Sequence, residues 1–311
     1  MVQKSVEILT KGDSGVYTST QANEFPVATS NAVGAIFNGL PHICVGYSAQ
    51  GSNQCFAFVD GDWNNVFDLQ TSLSRGEGSS IVFNSWGNIT NPWWILGGDP
   101  FGRSTQLLGG NPPMNIVNHQ IELPEVLNQA CIVTISSTQV FVIARPKLVP
   151  SPTNKAWIYN FVSNTWTQVP DTIEAHTGPS CSFITNLSGD FVVLAGGKTS
   201  TTEIFDLSTQ QWSLGPSLPE GVIEKGRMVS DSRNQEVLLI GGFIEPTLTV
   251  SSSIWRMDSC LQSWVNIGTL SSPRADHVLL SFCPDTTSTS TTTSTFTASS
   301  TRPSTITTNT L

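Results

Sequence analysis

The stretch Val192-Val193-Leu194-Ala195-Gly196-Gly197 is followed by Thr202-Glu203-Ile204-Phe205-Asp206 and then by Trp212. Downstream, Val237-Leu238-Leu239-Ile240-Gly241-Gly242 is followed by Ser253-Ile254-Trp255-Arg256-Met257-Asp258 and by Trp264-Val265. Each block reads as an apolar strand ended by a diglycine, a second strand ended by an acid, and a tryptophan that opens a third. Short apolar runs between Gly, Pro, Asn, Ser and Thr clusters, with no helical periodicity, describe an all-β chain.

Weaker copies of the same unit lie upstream. Phe141-Val142-Ile143-Ala144-Arg145 precedes Ala156-Trp157-Ile158-Tyr159-Asn160 and Trp166; Trp94-Ile95-Leu96-Gly97-Gly98 precedes Ser104-Thr105-Gln106-Leu107-Leu108. The first copy is Ile43-Cys44-Val45-Gly46 with Cys55-Phe56-Ala57-Phe58-Val59-Asp60 and Trp63. Successive hinge positions Gly46, Gly97, Ala144, Gly196 and Gly241 are 51, 47, 52 and 45 residues apart. A repeat period near fifty is that of a propeller blade. The diglycine allows positive φ where sheets crowd, the aromatic-acid pair turns the chain, and the tryptophan fills the wedge between sheets.

With these residues in view, the chain resembles a kelch-repeat β-propeller. The resemblance runs over residues 1–284, is strong at Gly196-Gly197 and Gly241-Gly242, moderate at Gly97-Gly98, and degraded where Gly46-Tyr47 and Ala144-Arg145 replace the diglycine. It implies six four-stranded blades, because Ser5-Val6-Glu7-Ile8-Leu9 resembles the third-strand segment Thr202–Phe205, and Pro273-Arg274 through His277 to Phe282 resembles an opening strand. The ring would then close between the termini, removing free sheet edges. In that shared blade the N-terminus supplies the outer strands and the C-terminus one clear strand, as a truncated chain would.

Residues 285–311 differ in composition. From Thr286 to Leu311, 19 of 26 residues are Ser or Thr, too polar to offset the entropy of ordering, so this tail is expected to be disordered. Its composition is that of a mucin-like, O-glycosylated stalk.

Charge narrows the function. Fourteen Lys+Arg against 23 Asp+Glu give a net charge of -9 and only 12% charged residues, about half the ~25% usual for soluble domains. With no basic run, nucleic acid and anionic membrane surfaces are disfavoured. No apolar stretch approaches the roughly 18 residues of a membrane span, and the N-terminal MVQKSVEILTKGDSG has no signal-peptide h-region.

Catalytic motifs fail on context. Gly12-Asp13-Ser14-Gly15 copies a serine-protease tetrapeptide, but no His precedes it. Gly197-Lys198-Thr199 copies the end of a phosphate loop, but Val192 stands where its first glycine belongs. Propellers that resemble galactose oxidase gather tyrosines and histidines around copper; here Tyr17, Tyr47, Tyr159, His42, His119, His176 and His277 fall at different blade positions. No cofactor or metal is therefore expected. Arg75, Arg227 and Arg274 each come just before an opening strand, where a contact between blades is the plainer role than a ligand contact. Trp86, Trp93 and Trp94 read as core packing, with Trp86 on a loop.

Six cysteines allow fifteen pairings, and none forms a C-x-x-C motif. Cys44 and Cys55 fall on neighbouring strands, and Cys260 and Cys283 can meet near ring closure. Cys131 and Cys181 occupy equivalent first strands, where buried thiols are the plainer reading than a strained bridge. Asn88-Ile89-Thr90 and Asn186-Leu187-Ser188 are N-glycosylation acceptors. Pairable cysteines, sequons and the Ser/Thr tail together point to a secretory route. The expected protein is a non-enzymatic, monomeric propeller of a secreted or cell-surface protein that binds a protein or glycan through its loops. A divergent galactose-oxidase-like enzyme and an intracellular kelch adaptor are the alternatives.

Overall fold

The computed structural model describes residues 4–29, 32–46, 53–69, 79–82, 85–86, 89–90, 92–96, 105–109, 115–117, 121–125, 127–146, 154–231, 236–282, 292–299 and 307–310. All regular structure among them is strand. Strands β1 (Val6–Lys11) and β2 (Tyr17–Ala22) form a hairpin. Strands β3 (Val33–Phe37), β4 (Leu40–Cys44), β5 (Gln54–Val59) and β6 (Asp62–Asp68) follow as an antiparallel meander. The next meander is β7 (Ser79–Val82), β10 (Trp93–Leu96), β11 (Thr105–Gly109) and β12 (Asn115–Val117), interrupted by the small hairpin β8 (Ser85–Trp86) and β9 (Ile89–Thr90).

Two regular meanders come next. One is β13 (Leu127–Ser136), β14 (Gln139–Pro146), β15 (Lys155–Asn160) and β16 (Thr165–Val169); the other is β17 (Ser180–Asn186), β18 (Gly189–Ala195), β19 (Thr202–Asp206) and β20 (Gln211–Leu214). The following sheet orders β22 (Arg227–Asp231), β23 (Glu236–Ile240), β26 (Ser253–Met257) and β27 (Trp264–Thr269). A side sheet joins β21 (Ile223–Glu224) to the hairpin β24 (Phe243–Ile244) and β25 (Thr249–Val250). Last come β28 (His277–Phe282), β29 (Thr292–Ser299) and β30 (Thr307–Thr310).

The second strand of each meander is buried on both sides because it packs into two sheet interfaces. Val192 and Leu194 of β18 join one apolar cluster with Phe141 and Ile143, while Val193 joins another with Val237 and Leu239. That is why these strands read as unbroken apolar runs. First strands neighbour one another in chain order, β3, β7, β13, β17, β22 and β28, and β28 lies against β3. This is a β-propeller-like arrangement.

Thr292–Ser299, inside the segment expected to be disordered, forms β29 and pairs with both β28 and β1. The physical reason is the gap itself: β28 and β1 each present an open row of backbone groups, and β-branched threonine fits an extended chain. No helix among the described residues is long and apolar enough to cross a membrane.

Candidate functional site

The linkers that enter β17, β22 and β28 run along one end of the sheets, together with the diglycine loops. Their backbones are stitched in series: Lys225 donates its N–H to the Gly178 carbonyl at 3.1 Å, and Asp276 donates to the Lys225 carbonyl at 2.8 Å. Gly178, Lys225 and Asp276 are thus equivalent positions, and so are His176, Ile223 and Arg274 two residues earlier.

Diglycines hold these linkers. Gly197 donates to the Ile223 carbonyl at 2.6 Å, and Gly242 to the Arg274 carbonyl at 2.7 Å. Both pairs have positive φ, and a β-carbon at Gly196 would lie 2.6 Å from the Ile223 oxygen. In the degraded copy a side chain takes over. Asn154 Nδ2 donates to the His176 carbonyl at 2.8 Å, and Asn154 Oδ1 accepts from His176 N–H at 2.7 Å.

Buried carboxylates complete the frame. Glu203 accepts from the N–H groups of Ile173 and Glu174, both at 2.7 Å, and meets His176 Nε2 at 2.9 Å. Glu7 accepts from the N–H groups of Ser271 at 3.0 Å and Ser272 at 3.1 Å, and pairs with the Arg274 guanidinium. Donor spacing is the same in both cases, so Glu7 in β1 stands to the β28 linker as Glu203 in β19 stands to the β17 linker. Sequence reasoning aligned these two strands but did not assign the glutamates a role. The sheet between them inverts the arrangement: Glu220, in the linker to β22, accepts from the hydroxyls of Ser251 at 2.7 Å and of Ser253. Burial brings the pKa of Arg274 down to about 10, against the pull of Glu7.

Outside this frame stand the groups that can meet a ligand. Lys198 is half-exposed and 3.9 Å from Glu224, whose carboxyl pKa is raised by burial. Asp276 belongs to the frame itself, buried and held by Lys225 at 3.5 Å and Arg227 at 3.3 Å. Ile173 and Leu248, the latter in the turn of the β24–β25 hairpin, are exposed apolar side chains. The Glu174 carboxylate accepts from the Thr201 and Thr199 hydroxyls, which lower its pKa.

Arg227 and Arg274 do not occupy equivalent positions. Arg227 begins β22 and donates Nε to the His277 carbonyl at 2.8 Å, whereas Arg274 is fully buried in its linker. Arg75, Gly97, Gly98, Asn88 and Cys283 lie outside the described residues, as do the Trp86 side chain, Tyr47 and His119. Trp63 packs edge-on against Phe25. Trp166 donates Nε1 to the Glu122 carbonyl at 3.0 Å, Trp212 to Pro170 at 2.8 Å, and Trp264 to the Thr202 hydroxyl at 3.1 Å. Each of these three reaches the preceding sheet or the linker leaving it. His42 in β4 bonds the Leu40 carbonyl, while Tyr159 in β15 bonds Asn164, so these two sit in separate sheets.

Cys44 and Cys55, register partners in β4 and β5, form a disulfide. Cys131 and Cys181 are also bridged, with a Cα–Cα distance of 5.9 Å, which corrects the expectation of buried thiols. The first strands β13 and β17 are neighbours and bring the two residues within ordinary bridging distance. Cys260 is exposed and unbridged among the described residues. Asn186 lies at the β17–β18 turn, its Oδ1 accepting from Ser188 N–H at 2.8 Å and its Nδ2 donating to the Ser259 carbonyl at 2.9 Å.

The sequence matches no protein-family model and no curated protein. Among solved structures it is similar to that of YjhT, at 14% identity and a TM-score of 0.61, over 88% of this chain and 91% of that one. A likeness at this identity speaks for the fold alone.

Proposed function

We infer that the chain is a kelch-like propeller of six four-stranded blades, closed by β28, β29, β1 and β2, and that it acts as a binding module. The observation that carries the reading is the linker frame. The carboxylates buried in it, Glu7, Glu203 and Asp276, are already filled by N–H donors or paired cations, so these groups position loops and leave contact to what the loops display. The display is mixed: apolar Ile173 and Leu248 beside Lys198, Glu174 and Glu224, the kind of surface that suits a protein or a glycan. Disulfides and sequons support a secreted or cell-surface setting.

The test is to secrete the chain from eukaryotic cells and screen it on glycan arrays and against a library of extracellular domains. A ligand that is lost with Ile173→Asp, Lys198→Glu and Leu248→Asp combined, at unchanged thermal stability, supports the reading. Binding that ignores this triple change would reject the face as the site.

A further inference from the structure

The linkers into β17 and β28 carry carboxylate clamps of the same construction, down to the oxygen atoms. Ile173 N–H donates to Glu203 Oε2 and Glu174 N–H to Oε1, each at 2.7 Å, while His176 Nε2 meets Oε1 at 2.9 Å. Ser271 N–H donates to Glu7 Oε2 at 3.0 Å and Ser272 N–H to Oε1 at 3.1 Å, while Arg274 Nη2 meets Oε1. His176 therefore holds the place of Arg274, and both members of each pair are sealed from water. The linker between them has buried, apolar Ile223 at this position. A guanidinium keeps its charge at any physiological pH, whereas an imidazole gains or loses a proton near neutrality.

The neighbours of the His176 ring fix how many protons it carries. Nε2 faces the Glu203 carboxylate and Nδ1 faces the Gly196 carbonyl oxygen at 2.5 Å. Both neighbours are acceptors, so a ring that satisfies both donates twice and is an imidazolium. A neutral ring would aim a lone pair at one of these buried oxygens. Glu174 on the same linker, its carboxyl lowered chiefly by the Thr201 hydroxyl, is lowered further by the charge of His176. On the elements packed around them, Lys155 pairs with Asp171 at 2.7 Å, Lys198 lies 3.9 Å from Glu224, and Lys225 pairs with Asp276 at 3.5 Å. What the clamp holds is short. Thr172 donates its N–H to the Asn154 carbonyl at 3.0 Å, and the Asn154 side chain clasps the backbone of His176. Both ends of the arch 173–175 are thus fixed without the ring, and its N–H groups at Ile173 and Glu174 go to Glu203.

We propose that the His176–Glu203 pair is a proton-operated latch on the arch 173–175: the arch is docked while His176 carries its second proton and is released when that proton leaves. The direction follows from linkage. Docking supplies acceptors to both ring N–H groups and so favours the protonated ring; the latch is closed at lower pH and opens as pH rises. Once the proton has gone, Glu203 is a buried carboxylate without its cation, the state that buried ion pairs tolerate least. Opening the arch lets water reach it. Ile173, exposed on the arch, is the side chain that opening displaces. It is also one of the residues assigned above to the binding face, so pH control of ligand binding rests on that reading, while the latch itself does not.

The experiment uses the full chain without ligand. Amide hydrogen exchange, corrected for the intrinsic rate at each pH, is followed at Ile173 and Glu174 and at Ser271 and Ser272 from about pH 6 to about pH 8.5, across the histidine range. Protection at Ile173 and Glu174 is expected to fall about tenfold or more over this window, while Ser271 and Ser272, clamped with an arginine, stay as they are. Nitrogen NMR of isotope-labelled histidine, with the His176 signals identified by their loss in His176→Gln, should find both ring nitrogens protonated at the lower pH and one at the higher. In His176→Gln the two arch amides should be weakly protected at every pH. A neutral His176 ring beside protected arch amides, an equal fall in both linkers, or a pH dependence that survives in His176→Gln would overturn the proposal. Should His176→Gln fail to fold, Glu203→Gln takes its place, with the same expected loss of pH dependence. Failure of these measurements removes the latch and leaves the binding face standing. A latch that opens with pH while ligand affinity ignores it would instead reject Ile173 as part of that face.

Discussion

Arg274 and Glu7, 267 residues apart in sequence, meet as an ion pair with neither side chain reaching solvent. The contact ties the linker before β28 to the first strand of the chain. Removing one member of such a pair leaves an uncompensated charge, at a cost of about 3–5 kcal/mol. Arg274→Met is therefore expected to lower unfolding free energy in urea by that order. Lys155→Met, which breaks the partly exposed pair with Asp171, should cost no more than about 1 kcal/mol. Equal, small effects from both would show that the buried pair does not hold the termini together.

The diglycines give a second contrast. Gly241 has a φ of 62°, and a β-carbon there would collide with the Arg274 carbonyl, whereas Gly39 has a φ of 76° with nothing within 4 Å. Gly39→Ala should cost about 1–2 kcal/mol, the left-handed penalty alone. Gly241→Ala adds the displacement of the linker, and is expected to lower the melting temperature by several degrees more. Similar melting temperatures for the two variants would mean that the diglycine serves only as a turn.

The disulfides should differ in the same way. Cys131–Cys181 spans 50 residues and Cys44–Cys55 spans 11, so chain entropy assigns them about 4 and about 3 kcal/mol respectively. Replacing Cys131 and Cys181 by Ala is expected to destabilise the chain more than replacing Cys44 and Cys55. The two double variants can be compared by urea unfolding, and thiol counting of native material should find both bridges closed.

Much of this frame is legible in the sequence, because the second strands must be apolar on both sides and the diglycines recur at the places where positive φ is needed. The carboxylate clamps are not. Val6-Glu7-Ile8 and Glu203-Ile204 look alike, but the linkers they hold, Ile173-Glu174-Ala175-His176 and Ser271-Ser272-Pro273-Arg274, share no residue, since backbone N–H groups do most of the binding. Asn154 replaces a diglycine donor with a side-chain amide, a substitution that no residue pattern announces. Strand β29 is hidden because its Ser/Thr composition describes an unpacked chain, and the place it fills is defined by two strands at opposite ends of the sequence.

The final expectation concerns pH. His277 is fully buried, neither ring nitrogen has a hydrogen-bond partner among the described residues, and burial together with Arg227 and Arg274 holds its pKa well below 6.5. His42 is lowered as well, chiefly by burial, with the Leu40 carbonyl opposing. In the unfolded chain both imidazoles take up a proton near pH 6.5 that the folded chain refuses. Unfolding is then coupled to proton uptake, so stability falls as pH drops below about 6.5, by up to roughly 1.4 kcal/mol per pH unit for each histidine. Glu224, raised by burial, acts in the opposite sense at lower pH, so the decisive measurement is a difference between chains. Urea unfolding of the wild type between pH 7.5 and 5.5 should show a steeper loss than that of His277→Phe, whose profile should have one proton fewer in its slope. Parallel profiles for the two proteins would mean that His277 is protonated, and therefore solvated or paired, in the folded state.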